Sequence, residues 1–344
     1  MEISIKQSNH LKVVAILMML CLHLFNRGHK GLFEPLLFIG KHPISFYVSL
    51  FCDACVPIFA FVSGYGLYYK YQQNRTVYSG ENFIRLKKLY INYWIVVLIF
   101  PVIVGFILHY PGYPGTMKKF VENFIGFKTS YNGAWWFFTT YVIFVLSSNF
   151  WFKLMQKLNP FLYLIILFFV YVICFYLRLN EFWERRTTFE ILNVVIENLT
   201  YFFCTLFQFM LGAFALKYKW NTLVSSLFKK IKFKNTIIFI LILGLVVAHA
   251  IVPNFIIAPF TGLCFIFLFC QLDLNKSLSK GLDFLVPHST NMWLTHMFFY
   301  MIFFPGFIYS FRYPIIIFFV LVLLCVGSSF IINFFNHKLL KIIK

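Results

Sequence analysis

Long apolar stretches alternate with short polar connections along the whole chain, and this pattern predicts a polytopic membrane protein. Each stretch is close to the roughly 20 residues that an α-helix needs to cross a bilayer. A transmembrane β-barrel would show short segments of alternating hydrophobicity instead. We therefore predict an all-α fold with about ten transmembrane helices. They cover residues 11–26, 44–69, 89–109, 133–152, 160–178, 193–216, 235–252, 254–271, 284–304 and 313–335.

The composition excludes a soluble protein of the usual kind. Of the 344 residues, 61% are hydrophobic and 12% are charged, and the mean hydropathy is +0.80. A folded soluble chain needs more polar surface than this composition supplies. The first apolar stretch is not expected to be a signal peptide, because "FNRGHKGLFEP" follows it in place of a small-residue cleavage site.

The polar connections suggest one domain. No internal repeat or composition shift divides the chain, so we expect a single integral-membrane domain over residues 1–344 without a separate soluble domain. The longest connection on the predicted outer side is "YPGYPGTMKKFVENFIGFKTSYNG", which contains several Pro and Gly residues. It is expected to be a surface loop with a short interfacial helix near residues 117–127.

The formal net charge of +19 is best explained by membrane topology. No basic stretch outside the apolar segments is long enough for a nucleic-acid-binding domain, so no nucleic-acid partner is expected. An even number of spans places both termini on one side of the membrane. With the N-terminus inside, about two thirds of the 30 Lys and Arg residues lie on the inner side. Both termini are therefore predicted to be cytoplasmic. The count of Lys and Arg residues behind this prediction includes Arg185, Arg186 and Lys344.

Two ionisable residues share one face of the first helix. In "NHLKVVAILMMLCLHLFN", Lys12 and His23 are eleven residues apart, which is about three turns plus 20°. They therefore project in the same direction and lie about 16 Å apart along the axis. Such a stripe favours the bundle interior. Alternatively, Lys12 snorkels to the inner headgroups and His23 lies at the outer interface.

Small residues interrupt the second apolar stretch. "VPIFAFVSGYGLYYK" places Ser63 and Gly64 beside Tyr65 in a strongly apolar helix. The small side chains allow a second backbone or a thin ligand to approach closely. Ordinary helix–helix packing explains the same residues equally well.

A basic pair opens the third helix on the predicted cytoplasmic side. In "FIRLKKLYINYW", Arg85 and Lys88 are three residues apart, and Asn92 follows on the same face. Two cations and an amide suit a ligand that carries phosphate groups. The alternative is that the cations only anchor the helix at the inner membrane surface.

Two later segments and one cysteine pair complete the candidates. "NGAWWFFTTY" places Trp136 at the outer end of the fourth helix, where an aromatic belt is also expected. "HSTNMWLTHMFFY" places Asn291 and His296 within a membrane segment, where such side chains are costly unless paired or functional. Cys52 and Cys55 form a Cys-x-x-Cys motif without a second pair, so no metal site is predicted.

Taken in order, these motifs resemble the acyltransferase-3 family of bacterial membrane O-acyltransferases. Members have a basic residue, ten residues and then His in the first helix, as Lys12 and His23 do. "VPIFAFVSGY" resembles the family's second helix, and Arg85-x-x-Lys88 before "INYW" resembles its Arg-x-x-Arg motif. "WWFF" and "STNMWLTH" match two later helix starts. The resemblance covers essentially the whole chain.

The resemblance implies an O-acyltransferase of polysaccharide type in the bacterial cytoplasmic membrane. Acyl-CoA, most often acetyl-CoA, would be the donor substrate, with no permanently bound cofactor. The acceptor would be a hydroxyl of a surface polysaccharide or lipid-linked glycan, and polysaccharide-assembly proteins are candidate partners besides the lipid bilayer.

The resemblance also implies roles for single residues. His23 would be the general base. Lys12 would neutralise CoA or orient polar groups. Arg85 and Lys88 would hold the CoA phosphates. The pantetheine arm would pass the motif formed by Ser63, Gly64 and Tyr65. His296 or Asn291 would support the developing oxyanion, with Trp136 as a further supporting residue.

This chain departs from the family pattern at several positions. Lys12 and Lys88 stand where many members have Arg, and Asn9 stands where an Asp is frequent. The prolines that precede Tyr93 in other members are absent. Some members carry a C-terminal hydrolase-like domain that finishes the transfer. Because no separate soluble domain is expected in this chain, it is expected to act alone or with a separate partner. Two other interpretations remain open at this point: a carbohydrate exporter or flippase, and a structural membrane subunit.

Overall fold

The structure is a computed structural model that describes residues 2–182, 184, 187–252 and 255–342. Arg185, Arg186 and Lys344 of the charge count lie outside the described residues, as does Asn254 at the start of the eighth predicted span. The described residues are almost entirely helical. Two short antiparallel strands, β1 (Phe38–Ile39) and β2 (His42–Pro43), pair in the connection after the first helix.

Sixteen α-helices follow one another in the described part of the chain. They are α1 Ile5–Phe25, α2 Ile44–Phe51, α3 Cys55–Gln73, α4 Tyr78–Val97, α5 Gly105–Ile107, α6 Met117–Phe124, α7 Trp136–Lys157, α8 Pro160–Leu179, α9 Glu190–Lys217, α10 Trp220–Phe228, α11 Lys234–Ile251, α12 Ala258–Gln271, α13 Lys276–Leu285, α14 Ser289–Met297, α15 Pro305–Tyr309 and α16 Pro314–Ile342. Short 3₁₀ turns cover Cys52–Ala54, Gly133–Trp135, Phe255–Ile257 and Val286–His288, and π-helical segments cover Leu98–Val104 and Phe298–Ile302.

The all-α, polytopic architecture is confirmed. Within the described residues, eight helices are long and apolar enough to cross a membrane, and a ninth apolar helix, Phe255–Gln271, is shorter. These correspond to nine of the predicted spans. The segment predicted at residues 284–304 is instead broken into a 3₁₀ turn, α14 and a π-helical segment. The cytoplasmic position of both termini stays a prediction.

The most buried membrane helix is α9, and it packs closely along α3. Two glycines make this contact possible. A Cβ atom on Gly64 would lie 1.8 Å from the carbonyl oxygen of Phe209, and one on Gly212 would lie 2.0 Å from that of Phe61. Since no side chain fits at such distances, the two helix backbones are in direct contact at these positions.

A proline breaks the second predicted span. Pro57 has no N–H to donate to the carbonyl of Asp53, four residues earlier, and its ring would clash with that carbonyl. The helix accordingly divides into α2 and α3, with the 3₁₀ turn Cys52–Ala54 between them. Asp53 lies in this turn and is only 4% exposed.

The first helix begins earlier than its apolar pattern predicts. Ser4 and Gln7 form a capping box, in which the Ser4 hydroxyl accepts from the Gln7 N–H and the Gln7 side chain accepts from the Ser4 N–H. The polar first turns of α1 are then held to α13. Asp283 accepts from His10 at 2.7 Å and lies 3.0 Å from the Lys6 ammonium. These two contacts lower the pKa of Asp283 from its ordinary value.

Candidate active site

A cavity of about 270 Å³ lies between α1, α3, α7, α8, α9, α12 and α14, in the half of the bundle predicted to face outward. Arg27 lines the cavity from the chain just beyond the end of α1. Helix α1 itself lines the cavity with Ala15, Met19 and His23, which are four residues apart and so lie on one face of the helix. Lys12 lies on the same face, one turn before Ala15.

His23 is paired with the second histidine that the sequence singled out. Nδ1 of His23 lies 2.7 Å from Nε2 of His296, although 273 residues separate them. Their rings are nearly parallel, with centroids 5.0 Å apart. Nδ1 of His296 lies 2.7 Å from the carbonyl oxygen of Trp293. The two imidazoles and the carbonyl form a chain of hydrogen bonds, which we name the histidine relay.

The relay fixes the position of each proton. A carbonyl oxygen can only accept, so Nδ1 of His296 carries a hydrogen and its Nε2 is an acceptor. Nδ1 of His23 must then donate to that acceptor. In the neutral pair, Nε2 of His23 therefore keeps a free lone pair. Because His23 lines the cavity, a basic nitrogen is available to a molecule bound there.

The local winding of α14 prepares this arrangement. The N–H of Phe298 donates to the carbonyls of Thr295 and His296, so it does not serve Leu294 as an α-helix would. The Leu294 carbonyl instead accepts from Asn132 at 3.1 Å and from the Trp135 indole at 2.9 Å. The segment before α7 is thus fastened to α14 next to His296.

Asn291 belongs to a separate polar network between α4, α14 and α16. Its side-chain oxygen accepts from Asn92 at 2.7 Å, and its amide donates to Ser329 at 2.9 Å and to Asn333 at 2.8 Å. Both of its amide hydrogens are used. His296 is equally committed within the relay. The structure therefore does not support an oxyanion role for Asn291 or His296, since neither has a free donor.

The predicted phosphate-binding cations are placed differently from one another. Arg85 is half-buried and donates to the side-chain oxygen of Asn82, whereas Lys88 is exposed. Lys12 lies close enough to Arg85 for their positive charges to interact. No carboxylate among the described residues forms an ion pair with either of them. The inner half of the bundle thus holds two neighbouring cations, Lys12 and Arg85.

The motif in α3 is used for packing and for fastening the N-terminus. Gly64 faces the backbone of α9, as described above. The Ser63 hydroxyl donates to the carbonyl of Phe59 in its own helix at 2.7 Å. The Tyr65 hydroxyl accepts from the backbone N–H of Ile3 at 3.1 Å. Of the two interpretations of the Ser63–Gly64 segment, the structure shows helix packing for Gly64.

Trp136 lies on the cavity wall beside Arg178. The Arg178 guanidinium lies 5.3 Å from the Trp136 ring centroid, 5.3 Å from that of Tyr201 and 5.9 Å from that of Phe255. Such distances are typical of cation–π contacts. This group, which we name the Arg178 cluster, forms part of the cavity wall.

The polar residues of the cavity that sequence reasoning missed include Arg27, Asp53, Arg178 and Gln208. Asp53 and Gln208 were detectable as isolated polar residues within apolar stretches, which is an expensive placement in a membrane. Arg27 was detectable as the residue one helical turn after His23. Cys55 also lines the cavity, and it is a free thiol.

The membrane helices and a family match together show a membrane acyltransferase. A family model described as an acyltransferase domain matches residues 5–334, nearly the whole chain. The chain belongs to the acyltransferase-3 family. Comparison with curated proteins and with solved structures gives no significant match.

Proposed function

We propose that this protein is an O-acyltransferase that moves an acyl group, expected to be acetyl, from cytoplasmic acyl-CoA to a hydroxyl of a cell-surface or exported polysaccharide. The bacterial cytoplasmic membrane is the expected location. One observation carries the proposal: His23, whose Nε2 is not used in the histidine relay, lines a cavity in the predicted outer half of a membrane acyltransferase.

The proposed reaction has one proton-transfer cycle. Nε2 of His23 removes the proton of the acceptor hydroxyl as its oxygen attacks the thioester carbonyl carbon. The carbon–sulfur bond breaks, and the leaving CoA sulfur takes the proton from the His23 imidazolium. While His23 is charged, its Nδ1–H bond to the neutral His296 becomes a charge-assisted hydrogen bond. His296 is therefore a positioning residue for the base.

Arg27 is the proposed partner of the developing oxyanion. It follows His23 by four residues, just beyond the end of α1, and lines the same cavity. Its guanidinium is held 5.2 Å from the Tyr300 ring centroid, and Tyr300 stacks on His296 with centroids 5.8 Å apart. A fixed cation at this point would stabilise negative charge on the carbonyl oxygen.

The inner cations are the proposed binding site for the phosphates of acyl-CoA. Lys12 and Arg85 repel each other across a partly buried space, and a bound phosphate group would remove that repulsion. Guanidinium and ammonium groups both pair well with phosphate oxygens. Lys88, which is exposed, would add a contact at the membrane surface. The pantetheine arm would then extend towards His23.

Other parts of the proposal concern what accompanies the reaction. Acyl-CoA acts as a substrate, and no permanently bound cofactor is needed for the steps above. The acceptor is a surface polysaccharide or a lipid-linked glycan, and polysaccharide-assembly proteins are proposed partners. Membership of an acyltransferase family favours this function over the exporter or flippase and over a structural subunit.

Replacement of the base tests the proposal. His23→Ala should lower acyl transfer by about 10²- to 10⁴-fold, the usual contribution of a general base, with unchanged protein levels in the membrane. His29→Ala is the matched control, because His29 lies six residues further on in the outer connection and is not part of the cavity wall. Acyl groups on the surface glycan are measured by mass spectrometry. Retained acylation in His23→Ala would remove His23 as the base.

A further inference from the structure

Two buried hydrogen-bond acceptors on the cavity wall have no partner within the described residues. They are Oδ1 of Asp53 and Oε1 of Gln208. Each of the two residues is only 4% exposed, and both line the cavity. The other oxygen of Asp53 is 3.9 Å from Nε2 of His249, which is too long for a hydrogen bond.

Unpartnered acceptors at buried positions are costly to keep, and most buried polar atoms in proteins are paired. Asp53 reaches the cavity from the break between α2 and α3, and Gln208 reaches it from α9. The Gln208 oxygen only accepts, and the Asp53 carboxyl only accepts while it is ionised, so a molecule that satisfies both in that state brings at least two hydrogen-bond donors. Hydroxyl groups of a sugar have this property.

The rest of the wall has matching chemistry. The Arg178 cluster supplies the faces of Trp136 and Phe255, onto which the apolar C–H face of a sugar ring can pack. The arginine itself offers donors to ring and hydroxyl oxygens. The cavity volume of about 270 Å³ is just below the roughly 300–1,000 Å³ of pockets for drug-sized ligands. A single sugar residue is therefore a better match than a longer piece of chain.

We propose that the cavity is the acceptor subsite, in which Asp53 and Gln208 accept hydrogen bonds from the hydroxyls of one sugar residue stacked on the Arg178 cluster. The inference rests on the proposed function and adds the residues that select the acceptor. The cavity lies on the predicted outer side, and the cation pair Lys12 and Arg85 lies on the inner side. The two substrates thus have separate sites that meet at His23.

The test uses full-length protein in lipid nanodiscs, acetyl-CoA, and oligosaccharides cut from the glycan of cells that lack the gene. The variants Asp53→Leu and Gln208→Leu remove one acceptor each. Each should raise the KM for the oligosaccharide about tenfold or more, because the sugar hydroxyl loses a buried partner. The KM for acetyl-CoA should stay within about twofold. Thr200→Val is the control, since Thr200 is a buried residue of α9 whose hydroxyl bonds to its own helix.

Thermal stability separates a binding role from a structural one. Removal of an orphan polar group should leave Tm unchanged or higher, whereas loss of a structural contact lowers Tm. If Asp53→Leu does not fold, Asp53→Asn keeps one acceptor oxygen and should give a smaller rise in the same KM. An unchanged oligosaccharide KM in folded variants overturns the subsite and leaves the proposed function intact. A rise in the acetyl-CoA KM, without a rise in the oligosaccharide KM, also overturns the subsite. It would indicate that Asp53 and Gln208 accept hydrogen bonds from the amides of pantetheine. If the unmodified protein transfers no acyl group to any of these oligosaccharides, the proposed function itself fails.

Discussion

The histidine relay makes a quantitative prediction about His296. His296→Phe keeps a ring of similar volume but offers no acceptor to Nδ1 of His23, so both 2.7 Å bonds of the relay are lost. A buried donor left without a partner costs about 1–3 kcal/mol. The His23 ring recovers this free energy when it rotates away or changes tautomer. The productive arrangement should become about 5- to 150-fold rarer, and kcat should fall by the same factor.

The assay separates positioning from packing. Acetyl-CoA-dependent acylation of the glycan is followed in nanodiscs, and kcat is determined separately from the KM of each substrate. His296→Phe should lower kcat and leave both KM values within about twofold, because His296 contacts neither substrate in the proposed mechanism. His296→Gln is the rescue variant. Its side-chain oxygen can again accept from His23, so it should recover most of the lost kcat.

Two outcomes would refute the role of the relay. One is an unchanged kcat in His296→Phe, which would show that His23 is oriented by other groups. The other is an equal loss in the Phe and Gln variants, which would indicate that only the imidazole ring itself fits the site. Membrane levels of both variants must match the unmodified protein, so that a loss of folding is not mistaken for a loss of kcat.

Two further predictions concern the inner half of the protein. Lys12→Ala and Arg85→Ala should each raise the acetyl-CoA KM about tenfold, the value of one charge-assisted contact, whereas Lys88→Ala should have a smaller effect because Lys88 is exposed; equal effects of all three would contradict a site centred on the half-buried pair. Asp283→Asn should lower Tm in scanning fluorimetry at pH 7 and have a smaller effect near pH 3. The pKa of Asp283 is lowered in the folded protein, so its stabilising contribution is fully present above the ordinary value of about 3.9 and is lost progressively as the pH falls from there through the lowered pKa; the same loss of Tm at both pH values would show that its charge is not involved.

The fold class and the inward-facing position of His23 were predictable from the sequence because both depend on local pattern. Apolar runs of bilayer length specify membrane helices regardless of what surrounds them. The stripe on α1 follows from the 3.6-residue period, which the structure shows as a line from Ala15 to His23 on the cavity wall. A histidine within that line faces protein because lipid cannot satisfy its nitrogens.

The partners of these residues were not predictable, because they depend on how distant helices pack. His23 and His296 meet only after α1 and α14 come together, and nothing near either residue encodes the other. Gly64 is a second residue whose role depends on a distant helix. Its sequence context fitted a ligand passage and a helix contact equally, and the close approach of the Phe209 backbone on α9 shows that it makes a helix contact.

The winding of α14 shows how a departure from helical pattern creates chemistry. In a regular α-helix each carbonyl accepts from the N–H four residues later. After Leu294 the helix changes winding, and the indole of Trp135 takes up the Leu294 carbonyl. One turn of irregular backbone therefore positions the residues around His296. Sequence periodicity describes only the regular part of a helix, so it indicated a plain span at this point.

The separation of the two proposed sites constrains how a thioester can reach the base. The cavity wall on α1 begins at Ala15, and Lys12 lies one turn, about 4.5 Å, nearer the predicted cytoplasmic side. In the proposed mechanism, a donor held at Lys12 and Arg85 must therefore pass the level of Ala15 before its carbonyl carbon reaches Nε2 of His23, about 16 Å from Lys12 along the helix. The proposed mechanism thus needs a long, narrow donor, and a thioester on a pantetheine arm has that shape.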